Sequence, residues 1–222
     1  MQQLPEIVRP EVHDLLQLNP DSLDAACIGS LPWVKRSLSL CPWVVVRRAQ
    51  APPGQIAVGV RGSSRSERWG SFLSTELITR VVSPTELLTV ARLSAHRART
   101  PALDTLQRLM EQWCDLTLAW GPTGSVGFEL ATGRPVTTSH SDLDIAIRAP
   151  HRIAVEQGRS LRNRATGLQT RVDIRVETPN CGFSLKEYLC ASSARILLRC
   201  ADGLRLGDNP WSEPSTTVET TP

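Results

Sequence analysis

The sequence predicts a protein of the mixed α/β (α+β) class, with a small mixed-sheet domain at residues 1–94 and a larger domain at 95–211. Three observations support this prediction: β-rich runs joined by turn residues in the first part, an amphipathic helix that begins near residue 101, and two later strands of alternating polarity. Residues 212–222 are rich in Ser, Thr and Pro, which predicts a disordered tail.

The composition excludes several classes of protein. The 222 residues carry 25 Lys+Arg against 22 Asp+Glu, and this net charge of +3 is too small for a protein that coats nucleic acid. The chain has no run of about 18 apolar residues, and residues 1–10 lack the pattern of a signal peptide. The six cysteines form no C-x-x-C pair, so the spacing of a zinc site is absent. We therefore expect a cytoplasmic protein without nucleic-acid or membrane partners.

The basic residues are strongly biased, with 23 Arg and only 2 Lys. A guanidinium group binds phosphate oxygens in pairs, so this bias is compatible with a phosphorylated ligand. A GC-rich genome would produce the same bias through codon choice. The sequence leaves both explanations open.

Turn and cap signals locate the elements of the first domain. Two β-rich runs, 43–48 and 55–60, flank an Ala-Pro-Pro-Gly turn, which predicts a hairpin. Residues 83–86 (Ser-Pro-Thr-Glu) form a capping box with Pro at the first helical position, so a helix begins there. The Arg-rich stretch 95–100 is predicted to link the two domains.

The second domain reads as helices and strands in alternation. The helix that starts at Pro101 has an apolar stripe, which predicts core packing by Leu103, Leu106, Leu109, Met110 and Trp113. The later predictions are a strand at 116–120, a turn at 121–125, a helix at 126–131 closed by Gly133, a strand at 142–148, a helix within 151–167, a strand at 171–177, a helix at 184–191 and a strand at 195–199.

The alternation within two of these strands concentrates acidic side chains on one face. Asp142 and Asp144 alternate with apolar residues, and Asp173 does the same in the later strand. If the two strands are neighbours in a sheet covered on one side, the three acids converge. Such a cluster repels itself unless a cation intervenes, and Mg²⁺ prefers oxygen ligands. The alternative is a pair of strands with solvated acids on an outer face.

The turn at Gly124 and Ser125 precedes a short helix. Free backbone N–H groups at a helix start, together with a hydroxyl group, bind phosphate oxygens. A Walker loop is excluded because no G-K-[ST] follows Gly121, and a nucleophile elbow is excluded because position 123 is Thr. The turn is therefore a candidate phosphate site of another kind.

The strand, the Gly-Ser turn, the helix and the D-x-D strand together resemble the DNA-polymerase-β-like nucleotidyltransferase superfamily. More narrowly, residues 124–133 (Gly-Ser-Val-Gly-Phe-Glu-Leu-Ala-Thr-Gly) and 141–145 (Ser-Asp-Leu-Asp-Ile) resemble the malonate decarboxylase holo-acyl-carrier-protein synthase family, also called phosphoribosyl-dephospho-CoA transferase. Sixteen residues, 126–141, separate the Gly-Ser pair from the first acid, and this insert favours the narrower family. Weaker matches extend the resemblance over residues 13–211.

The resemblance implies a polymerase-β-like nucleotidyltransferase core in the second domain and a specific reaction. The expected donor is 2′-(5″-triphosphoribosyl)-3′-dephospho-CoA, and the expected acceptor is a serine of the apo acyl carrier protein subunit of malonate decarboxylase. Pyrophosphate is released. The resemblance also implies Mg²⁺, or Mn²⁺ in its place, held by Asp142 and Asp144. Asp173 is the expected ligand of a second ion and the general base, and Gly124 and Ser125 are expected to hold the leaving phosphates.

Two arginines are further candidates for the phosphate site. Arg134 lies in the loop after the short helix, and Arg148 ends the D-x-D strand, so both are candidates for neutralising phosphate charge. Isolated arginines are also common as surface charges, and the sequence does not decide between these roles.

Several other polar residues have open roles. His140 is a candidate substrate contact or a solvated loop residue, and His13 with Asp14 either orients another group or caps a helix. Arg65 and Arg68 are candidates for contacting the nucleotide or an acidic carrier protein, and surface ion pairs are the alternative.

Two other functions compete with the expected one. The first is a nucleotidyltransferase with another acceptor, such as the citrate lyase carrier protein or a small hydroxylated molecule. The second is a catalytically silent module that binds a nucleotide or a carrier protein. The presence of all three acids argues against the silent module.

Overall fold

The computed structural model describes residues 9–26, 30–62, 67–93, 100–190 and 195–212. Arg65, residues 95–99 of the predicted linker and residues 213–222 of the predicted tail lie outside the described residues. The described chain forms two sheets with flanking helices, which confirms the mixed α+β class.

The first sheet is antiparallel and has the strand order β4-β3-β2-β1-β5. Its strands are β1 (Leu15–Leu18), β2 (Trp43–Val46), β3 (Gln55–Arg61), β4 (Arg68–Ser74) and β5 (Ile78–Val82). The pairing of Val45 with Gly59 confirms the predicted β2–β3 hairpin. Two helices lie between β1 and β2, α1 (Leu23–Ala26) and α2 (Pro32–Leu40), and α2 buries Val34 and Leu38 against one face of the sheet.

Five described helices follow the first sheet along the chain. They are α3 (Pro84–Leu93), α4 (Pro101–Gln112), α5 (Gly124–Thr132), α6 (Val155–Arg164) and α7 (Leu185–Cys190). The capping box at α3 is confirmed, because the Ser83 amide donates to Glu86 Oε2 at 2.7 Å and the Glu86 amide donates to Ser83 Oγ at 3.3 Å. Gly133 closes α5 with a φ of 73°. None of the helices in these ranges combines the length and the apolarity needed to cross a bilayer.

The second sheet has the strand order β11-β10-β9-β8-β7-β6. Its strands are β6 (Ala119–Pro122), β7 (Leu143–Arg148), β8 (Val172–Glu177), β9 (Cys181–Ser184), β10 (Ile196–Cys200) and β11 (Gly203–Gly207). Strands β7 and β8 are parallel, and α6 connects them. The other neighbouring pairs described in this sheet are antiparallel.

The predicted apolar stripe of α4 lies in the core of the second half. Leu106, Leu109, Met110 and Trp113 are buried there, and Leu103 is half-buried against them. The same core includes the apolar side chains of β7, Leu143, Ile145 and Ile147. The face of β7 opposite the acids therefore packs against helices, as the alternation predicts.

The sequence predictions differ from the structure in several elements. The strand predicted at 116–120 is β6, which includes Gly121 and Pro122 because these residues pair with Ala146 and Ile145 of β7. The helix predicted within 151–167 is the ten-residue α6. Sequence analysis missed α1 and α2 and the strands β1, β4, β5, β9 and β11, most of which are too short for a clear alternation.

The two sheets are joined at the face of the second sheet that carries the acids. A Cβ at Gly121 of β6 would lie 1.9 Å from the Pro84 carbonyl oxygen, so only glycine admits the start of α3 at this point. Leu15 and Trp43 of the first sheet also share a core with the second half. Arg148, on the same face of β7 as Asp144, pairs with Asp14 of the first unit, so this unit partly covers the acidic face, which differs from the expectation of a sheet covered on one side only.

Candidate active site

The three predicted acids lie at the starts of two neighbouring strands. Asp144 of β7 and Asp173 of β8 are direct partners in the parallel register, and Asp142 precedes β7 by one residue. The prediction that the two strands are neighbours is confirmed. Because partners in a sheet project to the same face, Asp144 and Asp173 point into the same space.

Asp144 is the most perturbed of these acids. Burial and the nearby charges of Asp173 and Asp142 raise the pKa of the Asp144 carboxyl, while Arg175 and Arg61 oppose that rise. A carboxylate in this position is stabilised by any additional positive charge. A cation bound beside Asp144 would therefore stabilise the ionised carboxylate.

Asp173 is held by an arginine of its own strand region. Arg171 Nη2 donates to both carboxylate oxygens of Asp173, at 2.7 and 2.8 Å, and Arg171 Nε donates to Oδ1 at 3.1 Å. Arg171 is exposed and Asp173 is about half exposed, so this pair orients the carboxylate more than it stabilises the fold.

The turn at Gly124 contacts Asp144 directly. The Thr123 amide donates to the Asp144 carbonyl oxygen at 2.8 Å, which fixes the start of α5 beside β7. Gly124 has a φ of 58°, and a Cβ there would lie 2.2 Å from Asp144 Oδ2. The helix start, with Ser125 in its first turn, thus lies beside Asp144. The N–H groups of this helix start are available for phosphate oxygens.

The insert after α5 is anchored by a buried acid that sequence analysis missed. Glu129 Oε2 accepts hydrogen bonds from the Val136 amide at 2.8 Å, the Thr137 amide at 2.7 Å and Thr137 Oγ1 at 2.8 Å. Glu129 therefore fixes the loop that leads to the acids. His140 is exposed in this loop, where its amide donates to Thr138 Oγ1 at 3.2 Å.

The structure places Arg134 and Arg148 away from the acids. Arg134 Nη1 donates to the Leu40 carbonyl oxygen at 2.5 Å. Arg148 pairs with Asp14 at 2.5 Å and with Glu11 at 2.8 Å. Both side chains connect the two units in this arrangement, and their proposed binding of phosphate stays a prediction.

A second network, centred on Glu177 at the end of β8, joins the units. Glu177 Oε1 lies 2.8 Å from His13 Nε2, and Arg48 Nη2 donates to Glu177 Oε2 at 2.8 Å. Burial opposes ionisation of Glu177, but these two partners outweigh it and hold the pKa of Glu177 below its usual value. The suggestion that His13 and Asp14 cap a helix is wrong, since they lie in a turn that leads into β1.

Sequence analysis also missed Arg175, although the alternation of β8 could have identified it. Arg175 follows Asp173 by two residues and therefore shares its face. Its side chain is half-buried, and burial and the charge of Arg199 lower the pKa of the guanidinium group. Arg61 of the first sheet is close enough to influence Asp144, and Arg68 is exposed opposite Arg61 in the β3–β4 register.

A cleft of about 1070 Å³ opens between the two units at the ends of β7 and β8, where Arg148 and Glu177 lie. Its lining includes Arg47, Arg48, Arg148 and Glu177. Arg148 lies four residues beyond Asp144 on the same strand face, a separation of about 13 Å. The cleft is large enough for an extended organic ligand.

The carboxylates match Mg²⁺ in the chemistry of their oxygen donors. Asp142 and Asp144 are free of ion pairs in the described ranges, and Arg171 occupies Asp173. Among the described residues, no group of three or more His, Cys, Asp or Glu side chains is arranged to hold a metal ion. The donors therefore fit the cation in kind, and Asp173 Oδ2, which accepts a single hydrogen bond from Arg171, keeps a lone pair for a further ligand.

Carboxylates on paired strands beside a helix start form a site suited to the transfer of a phosphorylated group. Residues 11–84 match the family model of the phosphoribosyl-dephospho-CoA transferase MdcG N-terminal domain, and residues 87–210 match that of its C-terminal domain. The chain belongs to the phosphoribosyl-dephospho-CoA transferase family and is a transferase enzyme.

Similarity to curated relatives extends over nearly the whole chain. The chain is 39% identical to the phosphoribosyl-dephospho-CoA transferase of Azotobacter vinelandii over 206 residues, which cover 92% of this chain and 95% of the relative. It is 37% identical to the proteins of that name from Pseudomonas fluorescens, over 202 residues (90% and 93%), and Klebsiella pneumoniae, over 204 residues (91% and 96%). No solved structure matches the chain.

Proposed function

We propose that the protein transfers the phosphoribosyl-dephospho-CoA group from 2′-(5″-triphosphoribosyl)-3′-dephospho-CoA to a serine of the apo acyl carrier protein of malonate decarboxylase. The observation that carries this proposal is the pairing of Asp144 with Asp173 beside the Gly124 helix start, in a chain of this transferase family. The arrangement brings acids and phosphate-binding N–H groups to one place, as transfer of a phosphorylated group requires.

The reaction is a displacement at the α-phosphorus of the donor. The serine Oγ forms a bond to this phosphorus, the bond to the β-phosphate oxygen breaks, and pyrophosphate leaves. Asp173 accepts the proton of the serine hydroxyl, because its carboxylate faces the same space as Asp144. Arg171 orients that carboxylate through its two Nη2 hydrogen bonds.

The leaving phosphates bind at the start of α5. The nine-residue helix directs its free N–H groups toward the acids, and Gly124 lets the backbone come close to Asp144. The Ser125 hydroxyl supplies a further hydrogen bond to a phosphate oxygen. These groups stabilise the negative charge that develops on pyrophosphate.

Asp142 and Asp144 are the residues that would hold Mg²⁺ or Mn²⁺, with Asp173 as an additional ligand. The ion would neutralise phosphate charge and polarise the phosphorus for attack. The raised pKa of Asp144 supports this proposal, because a cation relieves the repulsion that causes part of the rise.

Intact-mass spectrometry of the carrier protein tests the proposal. The full-length enzyme is mixed with the apo carrier protein, the triphosphate donor and Mg²⁺. We expect the carrier to gain one prosthetic-group mass and one pyrophosphate to appear for each carrier modified. Replacing the carrier serine by alanine, or the enzyme Asp142 by Asn, should prevent the mass shift.

Parallel reactions separate the alternatives. An unchanged carrier mass with folded wild-type enzyme would refute the proposal. A mass shift confined to the citrate lyase carrier protein would retain the chemistry but replace the acceptor. Reactions with EDTA in place of Mg²⁺ test the metal, because full transfer without any divalent ion would rule out its role.

A further inference from the structure

The middle of the acidic face carries an arginine that interacts electrostatically with the surrounding carboxylates but forms no direct ion pair with them in the described ranges. Along β8 the residues on this face are Asp173, Arg175 and Glu177. Asp173 binds Arg171, and Glu177 binds His13 and Arg48. Both acids on either side of Arg175 are thus engaged by other cations.

Arg175 forms no hydrogen bond or ion pair of its own in the described part of the chain. Its side chain is nevertheless half-buried. Charged side chains removed from water are normally paired, because burial without a partner is unfavourable. By contrast, Arg48, Arg148 and Arg171 all have carboxylate partners. Arg175 therefore has no directly paired anion within the described residues, and a bound ligand could supply one.

Arg199 of β10 is directed to the same part of the face. It pairs with Gly182 of β9, and Gly182 pairs with Glu177 of β8, so these residues form one row across three strands. Because Gly182 has no side chain, no β9 side chain in that row separates Arg199 from the β8 side. Arg199 also forms no ion pair in the described ranges, and its charge lowers the pKa of the Arg175 guanidinium group, while the Glu177 carboxylate lies over Gly182.

The first sheet supplies a third positive charge. Arg61 at the end of β3 acts on Asp144, so it faces the second sheet from the first. Arg61 forms no hydrogen bond or ion pair through its side chain with another described residue. Three unoccupied guanidinium groups on two walls are suited to a ligand with more than one phosphate oxygen.

We propose that Arg175 and Arg199, with Arg61 opposite, bind the non-leaving diphosphate of the dephospho-CoA part of the donor. This inference rests on the proposed function. The direction follows from the sheet order, because Gly124 lies on the β6 side of the acids and Arg175 and Arg199 lie on the β8–β10 side. The pyrophosphate and the dephospho-CoA part of the bound donor thus extend from the acids in opposite directions.

The cleft beyond Arg175 accommodates the rest of that ligand. It opens at the Arg148 end of β7, in the direction that leads from Asp144 past the Arg175 row. Arg47 lines the cleft, and its side chain lies over Gly59 and Gly70. A Cβ on Gly70 would collide with the Arg47 guanidinium group. The cleft thus offers a volume sufficient for an extended chain beyond the Arg175 row.

Binding of dephospho-CoA to the full-length protein, measured by calorimetry, tests the proposal without requiring transfer. We expect Arg175→Gln to weaken dephospho-CoA binding about tenfold or more, because a charged hydrogen-bonding partner is lost. Arg175→Lys keeps the charge but loses the paired donors and should be intermediate. Binding of inorganic pyrophosphate should change less than about threefold, since pyrophosphate uses the α5 start.

Arg205→Gln is the matched control, because Arg205 is exposed on the adjacent strand β11 and pairs with Asp202. It should leave binding of both ligands unchanged. Wild-type affinity of Arg175→Gln for dephospho-CoA, in a protein whose thermal unfolding is normal, would overturn the inference. A loss confined to pyrophosphate would also overturn it, because the arginines would then serve the leaving group.

The transfer assay distinguishes failure of this inference from failure of the proposed function. If transfer occurs, Arg175→Gln should raise KM for the donor more than it lowers kcat. If no carrier protein is modified, the dephospho-CoA titrations still decide the role of Arg175. Normal transfer and normal binding by Arg175→Gln would refute the inference and leave the proposed function intact.

Discussion

Replacing Gly124 by alanine tests whether the Gly-Ser turn positions Asp144 for the reaction. Gly124 has a φ of 58°, and an added Cβ would lie 2.2 Å from Asp144 Oδ2. The carboxylate would have to move by about 1.2 Å to reach an ordinary contact of 3.4 Å. The substitution therefore perturbs the backbone and displaces the acid at the same time.

The two effects have different magnitudes. Alanine in the left-handed region costs about 1–2 kcal/mol, which corresponds to a loss of about 2–8 °C in Tm for a chain of this size. The Asp144 carboxylate ends a rotatable side chain, so it moves aside at little further cost to folding. A displacement of about 1 Å at a reacting group costs about 100-fold in rate, so we expect that loss in kcat/KM.

Gly167→Ala is the matched control for backbone strain. Gly167 has a φ of 73°, but nothing lies within 4 Å of an added Cβ. It should lose the same few degrees in Tm and keep its rate to within about twofold, as expected when no acid is displaced. Scanning calorimetry gives Tm, and the initial rate of the carrier mass shift gives kcat/KM. Equal transfer rates in the two alanine variants would refute the positioning role of Gly124.

Two further predictions concern charge. Burial and the neighbouring acids raise the pKa of Asp144, so ionisation of this carboxyl destabilises the fold. Asp144→Asn should therefore raise Tm at pH 8 in EDTA. The gain should shrink as the pH falls toward about 4, because the wild-type carboxyl is then protonated as well. The same variant should lose transfer, and an unchanged Tm together with full transfer would contradict both expectations. Glu177 has a lowered pKa, so its contribution to stability is present above pH about 4.3 and is lost as the pH falls through the folded pKa. Glu177→Gln should cost about 2 kcal/mol at pH 7, a cost that shrinks as the pH falls below about 4, and a pH-independent difference in denaturant titrations would argue against this assignment.

The predictable parts of the structure are those with local signals. The capping box before α3 and the stripe of α4 are repeated over several residues, and the structure confirms both. The alternation of β7 and β8 was sufficient to align Asp144 with Asp173, because a period of two fixes the face of every residue in a strand. The same rule assigns Arg175 to that face, so its position was available from the sequence.

The parts that sequence analysis missed depend on contacts between distant residues. Arg148 pairs with Asp14 over a separation of 134 residues, and Glu177 pairs with His13 over 164. No spacing rule connects residues so far apart, so Arg148 was assigned to phosphate on its proximity to the acids in sequence alone. Four-residue strands such as β9 carry too few alternations to be detected.

These distant contacts explain how one sheet face serves two purposes. At the far end of β7 and β8, Arg148 and Glu177 bind the first unit through largely buried ion pairs. At the near end, Asp144 and Asp173 form no ion pair with the described residues of the first unit. Because a buried pair is costly to break, the far end fixes the distance between the two walls of the cleft. The separation of Arg61 from Asp144, and with it the space for a diphosphate between the walls, is therefore set by residues that lie about 13 Å from the acids.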